Sequence, residues 1–129
     1  MSKFSYPLAA LALSCTPAAF SAEPKVMLNA AEIVALVVGN TIRYVNKPDQ
    51  AVNEYFAPDG VVRGMSKKGG RYASAWEIRR GNMLCIINED PKQSGCVQVH
   101  VRGSVIEFHR LDGVLEGPFE LRGGNPEKL

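Results

Sequence analysis

Three side chains in this sequence could work together on a metal ion or a proton: His100, Glu107 and His109. The stretch 96–110 reads as a β-hairpin turning at Gly103-Ser104, a two-residue turn with glycine first. That register sets His100 opposite Glu107 and Gln98 opposite His109, with Val99 opposite Phe108 and Val101 opposite Ile106 on the other face. Imidazole and carboxylate at such cross-strand or diagonal spacing could hold a divalent cation or run acid–base chemistry. The same placement suits an ordinary solvated sheet face with a His–Glu pair, worth roughly a few tenths of a kcal/mol. No further ligand stands at metal spacing, and no cofactor is expected.

Other reactive residue types have simpler explanations. No Gly-x-Ser-x-Gly is present, and Ser104 is accounted for by the turn after Gly103. Lys67-Lys68-Gly69-Gly70-Arg71 is a basic, glycine-rich hairpin tip that could touch an anionic partner or simply make a soluble turn. Pro58-Asp59-Gly60 is a second tight tip, and Glu89 to Gly95 the longest loop. Lys67, Lys68, Arg71, Pro58 and Asp59 are therefore candidate interaction residues. The aromatic mass, including Tyr44, Tyr55, Trp76 and Phe108, would fill a small barrel or line an apolar ligand cavity within it.

The opening residues 1–22 read as a cleavable export signal: one charge, Lys3, then the apolar stretch from Leu8 to Leu13, then a small-x-small pattern at Ala19-Phe20-Ser21. The alternative is an apolar strand or helix of the mature fold. Ala12-Leu13-Ser14-Cys15 is a poor lipoprotein box, and only lipidation at Cys15 would anchor the chain to a membrane. Cleavage after Ala22 takes Lys3 from the 15 basic residues and nothing from the 13 acidic ones, leaving a formal charge of +1. That is too little for a general phosphate-binding surface, so nucleic acid is not an expected partner. Cys85 and Cys96 remain in the exported chain and have one pairing open to them, with two free thiols as the alternative. The expected location is the periplasm or the medium outside the cell.

The elements that must position these residues are one helix and a β-meander. Asn29 and Glu32 form a capping-box pair ahead of the apolar run to Val38, and Gly39 supplies a left-handed stop. Leu28 and Ile33 are placed as a hydrophobic staple. The helix is apolar nearly all round, which predicts packing on two sides. Eight strands are expected at 41–45, 52–57, 61–65, 72–79, 83–87, 96–102, 105–110 and 114–121, because turn signals stand too close together for crossover helices. A three-residue turn at Arg80-Gly81-Asn82 puts Trp76, Ile78, Leu84 and Ile86 on one face and Cys85 on the other. The fold class is mainly β: an N-terminal helix, then an antiparallel meander closed into a small barrel or strongly curled sheet, spanning 23–122. Residues 123–129 read as a flexible tail.

Glu32-Ile33, Val38-Gly39-Asn40-Thr41, the run Glu54-Tyr55-Phe56-Ala57-Pro58-Asp59-Gly60 to Gly64, Trp76-Glu77-Ile78, Leu84-Cys85 and Cys96 form a series. It resembles a family of short exported proteobacterial proteins of unknown function, over about 28–113. One departure is that Ser74 or Ala75 stands where that pattern has a glycine before the tryptophan. The resemblance implies a periplasmic, β-rich domain and no catalytic residues. The expected function is an exported binding module, its partner an unknown envelope protein; the alternatives are a carrier of a small apolar ligand in the barrel interior and a weak metal-dependent enzyme.

Overall fold

The computed structural model describes residues 24–45 and 53–129. The expected export signal and Cys15 lie outside the described residues. A two-residue strand β1 (Val26–Met27) and helix α1 (Ala30–Val37) precede eight longer strands: β2 (Asn40–Tyr44), β3 (Asn53–Phe56), β4 (Val61–Met65), β5 (Arg71–Arg79), β6 (Met83–Ile87), β7 (Gly95–Arg102), β8 (Val105–Arg110) and β9 (Leu115–Gly123). Each of β2 to β9 pairs antiparallel with the next, and β9 pairs back onto β2, so the sheet closes into an eight-stranded barrel. Closure removes the two edges that an open meander would expose. Both checked hairpins have the register that turn chemistry and alternation predict: Val99 pairs with Phe108, His100 with Glu107, and Ile78 with Leu84.

Alternation then sorts the side chains. Phe56, Val62, Leu84, Val99, Ile106 and Phe108 point inward and are almost fully buried. Asn29 caps α1, accepting from the Glu32 amide at 2.9 Å while Glu32 accepts from the Asn29 amide at 3.0 Å. The helix contacts β2 and β6, which stand four strands apart in a ring of eight and so face each other across it. It therefore lies across one end of the barrel, with Ile33 and Val37 buried and Leu36 packed against the core. The expectation of packing on two sides is corrected here. Ala31, Val34 and Ala35 are exposed, because a helix laid over a barrel end covers it with one face only.

Strand β1 was not foreseen. It takes the part of the β7 edge that β6 leaves open, pairing Val26 with Val101 and Met27 with His100, while β6 stops at the Met83–Gln98 pair. The last residues fold back on the barrel: Thr41 donates to the Gly124 carbonyl at 2.7 Å and Arg71 to the Lys128 carbonyl at 3.1 Å. Among the described residues no helix is long and apolar enough to cross a membrane. Cys85 and Cys96 are bonded to each other across β6 and β7, on the outside of the barrel.

Candidate functional site: the open mouth of the barrel

With α1 over one end, the other end holds a cavity of about 450 Å³. Its floor is apolar, made by Val62, Ile86, Val97 and Phe108. Its rim is polar, and three adjacent strands build the most unusual part. Glu54 on β3 pairs with Gly64 on β4, and Gly64 pairs with Tyr72 on β5, so all three positions point into the mouth side by side. A Cβ at Gly64 would lie 2.2 Å from the Tyr72 ring. The ring thus occupies the space above the glycine, and its hydroxyl donates to Glu54 Oε1 at 2.7 Å.

Burial pushes the Glu54 carboxyl above the usual carboxylate range; the Tyr72 hydrogen bond acts against this and the Glu116 charge adds to it. The Tyr72 phenol is pushed up by burial, by the Glu54 charge and by donating to it. Burial and then Glu116 and Glu54 raise the Tyr44 phenol as well. Glu116, on β9, is met by Arg110 at 3.5 Å. The remaining wall is the 88–94 loop, which is held by its own hydrogen bonds. Ser94 Oγ accepts from the Asn88 amide at 2.8 Å, Asp90 accepts from the Lys92 amide at 2.9 Å, and Ser74 on β5 bonds to Asn88.

The residues expected to line a cavity divide. Phe108 forms part of the floor. Tyr44 points inward at the same end and packs on Phe119 with ring centroids 4.7 Å apart. Trp76 points inward at the α1 end, where its indole donates to the Ala57 carbonyl at 2.8 Å and its ring packs against the core. Tyr55 is a correction: it alternates with Glu54 and Phe56 and so faces outward, since β3 puts every second residue on the outer surface. The cavity is also not apolar, because Glu54, Arg110 and Glu116 enter it.

The three expected interaction loops do not form one surface. Lys67 and Lys68 are exposed on the β4–β5 turn at the mouth end, as is most of the 88–94 loop, and Arg71 opens β5 there. Pro58 and Asp59 stand at the α1 end, where Asp59 pairs with Arg63 at 2.9 Å.

His100, Glu107 and His109 do share one outer face, with the imidazole centroids 3.9 Å apart. Glu107 is 6% exposed, with the cations Lys25 at 3.0 Å and Arg102 at 3.7 Å and the His109 imidazole at 3.1 Å around it. Among the described residues no group of three or more His, Cys, Asp or Glu side chains is arranged to hold a metal ion.

Arg110 and Glu116 were not singled out from the sequence, and Glu54 stood there as the first residue of the Glu54–Gly64 run with no role given to it. The one local signal was Glu54 itself, a carboxylate on the same strand face as Phe56. Comparison with known proteins finds no matching family model, no similar curated protein and no similar solved structure.

Proposed function

We propose that the protein is an exported, periplasmic binding protein that takes a small amphipathic ligand in the barrel mouth. The observation that carries this is the cavity itself: about 450 Å³, closed beneath by a packed core and bounded by a rim of hydrogen-bonded polar groups. Eight-stranded barrels have room for one small ligand at most, and ligand sites pair an apolar body with a few fixed polar groups. The rim charges turn the expectation from an apolar ligand toward an amphipathic one. Export is supported by the leader-like residues 1–22 and by the Cys85–Cys96 bond, which suits an oxidising compartment.

Gly95 gives a clean test. It lines the cavity, and a Cβ added there meets nothing within 4 Å. Gly95→Leu should put an apolar side chain into the mouth and narrow it without disturbing the fold. Amide shifts would be followed by NMR while short-chain amphiphiles are titrated in. Saturable shifts centred on Tyr72, Val97 and Phe108, lost in Gly95→Leu, are the expected outcome. Shifts scattered over the outer surface, or none, would sink the proposal.

Docking of an envelope protein is the second reading. It draws support from Leu111, Val114 and Leu115, which are exposed around the β8–β9 turn on the same rim. A Leu111→Ser and Leu115→Ser double variant should then lose a partner crosslinked in the cell while keeping small-ligand shifts in the mouth.

A further inference from the structure

We infer that the ligand of the mouth carries a cationic head, of the alkylammonium class, set against Glu54 with its apolar arm on Val97 and Phe108. This rests on the mouth being a ligand site, and it follows from how the charges there are paired. Glu116 is met by Arg110 at 3.5 Å, and Arg110 is shared with Asp112 at 3.5 Å. Glu54 makes no ion pair among the described residues, and its hydrogen-bond partner there is the Tyr72 hydroxyl at 2.7 Å. A carboxylate offers about four lone-pair sites, and Tyr72 occupies one of them.

A half-buried carboxylate without a counter-charge is a costly arrangement that a cation relieves. An anionic head would meet both Glu54 and Glu116; of the two cations lining the cavity, Arg110 is already engaged by Glu116 and Asp112, and Lys92 lies exposed in the 88–94 loop. A neutral head would leave the charge as it is. The Tyr72 ring, lying over Gly64 beside Glu54, adds an aromatic surface to which an ammonium group is attracted. Burial, with the Glu116 charge adding to it, raises the Glu54 carboxyl, and a cation bound beside it would act in the opposite direction.

Octylammonium, octanol and octanoate differ only in the head group, so calorimetric titration of each into the disulfide-bonded protein at pH 7 and low salt reads the preference directly. Octylammonium should bind at least roughly ten-fold more tightly than either of the others. Glu54→Gln keeps an acceptor for Tyr72 and should bring octylammonium to the affinity of octanol. Tyr72→Phe leaves the carboxylate in place and should keep the preference. If octanol or octanoate binds the wild type as tightly as octylammonium, the head-group assignment is overturned and the mouth stands as a site. If no probe binds, or Gly95→Leu binds all three unchanged, both proposals fall together.

Discussion

The Tyr72 hydroxyl reaches the Glu54 carboxylate at 2.7 Å across a strand that has no side chain between them. Gly64 is the intervening residue, paired with both. The glycine is needed here for the space above it and not for its backbone freedom.

That relationship predicts a coupling between Gly64 and Tyr72. Gly64→Ala would drive the ring away and so break the bond to Glu54. Tyr72→Phe breaks the same bond by removing the hydroxyl. Each should cost about 0.5–1.5 kcal/mol as a lost hydrogen bond, with alanine's lower backbone entropy offsetting part of the first. Because both remove one contact, the double variant should cost less than the sum, by about 0.5–1 kcal/mol. Urea denaturation of the four proteins measures this. Full additivity would show that the ring clears an alanine without leaving Glu54.

A second prediction concerns the cystine. Cys85 and Cys96 are cross-strand partners eleven residues apart, and the loop they close is the one that walls the mouth. Chain entropy gives such a bridge roughly 2–3 kcal/mol. Replacing both cysteines with alanine should lower stability by about that much in urea, and should loosen the amides of 88–94 in hydrogen exchange before those of β7 and β8. Thiol counting on unfolded protein taken from the periplasm, without residues 1–22 and so without Cys15, should find none free. Two free thiols would remove the bridge from the account.

The elements that were legible in the sequence are those where two local signals agreed. The Gly103-Ser104 turn and the alternation of Val97 to Phe108 pointed to one register, and so did Arg80-Gly81-Asn82 with Trp76 to Ile86. Asn29 and Glu32 marked the start of α1 in the same way. Strand β1 has two residues, too few to show a period, and exists because β7 runs past the end of β6. The mouth was illegible for a different reason. Arg110 and Glu116 flank one turn, but Glu54 joins them through closure of the sheet, which brings together strands far apart in sequence. Tyr55 was misplaced because aromatic content says nothing about which face of a strand a ring occupies. The outer face of α1 was misjudged because Ala31, Val34 and Ala35 are apolar yet have nothing above them.

The third prediction is a two-step loss of stability with acid, from the outer face of β7 and β8. Burial pushes the His100 imidazole below its usual value, and His109 and Lys25 add to this. The unfolded chain then binds the proton more readily, so stability falls as the pH drops below about 6.5. Burial pushes the Glu107 carboxyl up, but Lys25, His109 and Arg102 outweigh it and hold the group below its usual value. Its contribution is present above the unfolded pKa, about 4.3, and is lost as the pH falls through the lower folded value. His100→Gln should flatten the first loss and leave the second. Glu107→Gln should flatten the second loss, deepen the first because the Glu107 charge holds the His100 imidazole up, and cost about 1–2 kcal/mol at pH 7. Urea midpoints across pH 3 to 8 check both, and an unchanged slope near pH 6 in His100→Gln would mean that another group titrates there.

The fourth prediction separates two roles of one residue at the opposite end of the barrel. Asn82, in the β5–β6 turn, has φ +58°, and its side-chain oxygen accepts from the Ala30 amide at 2.9 Å. Ala30 is the first residue of α1, and its N–H has no partner within the helix. Asn29 caps the Glu32 amide from the adjoining chain, so Asn82 supplies a second cap from fifty-two residues away and ties the helix to the barrel end. Asn82→Gly keeps the left-handed backbone and loses only the cap, at about 0.5–1.5 kcal/mol. Asn82→Ala loses the cap and also forces a Cβ into the left-handed region, adding about 1–2 kcal/mol. The order in urea should be wild type, then glycine, then alanine. Glycine equal to wild type would mean that the bond to Ala30 contributes nothing. Alanine equal to glycine would mean that the turn relaxes to a right-handed form, and the difference between those two failures identifies which half of the argument is wrong.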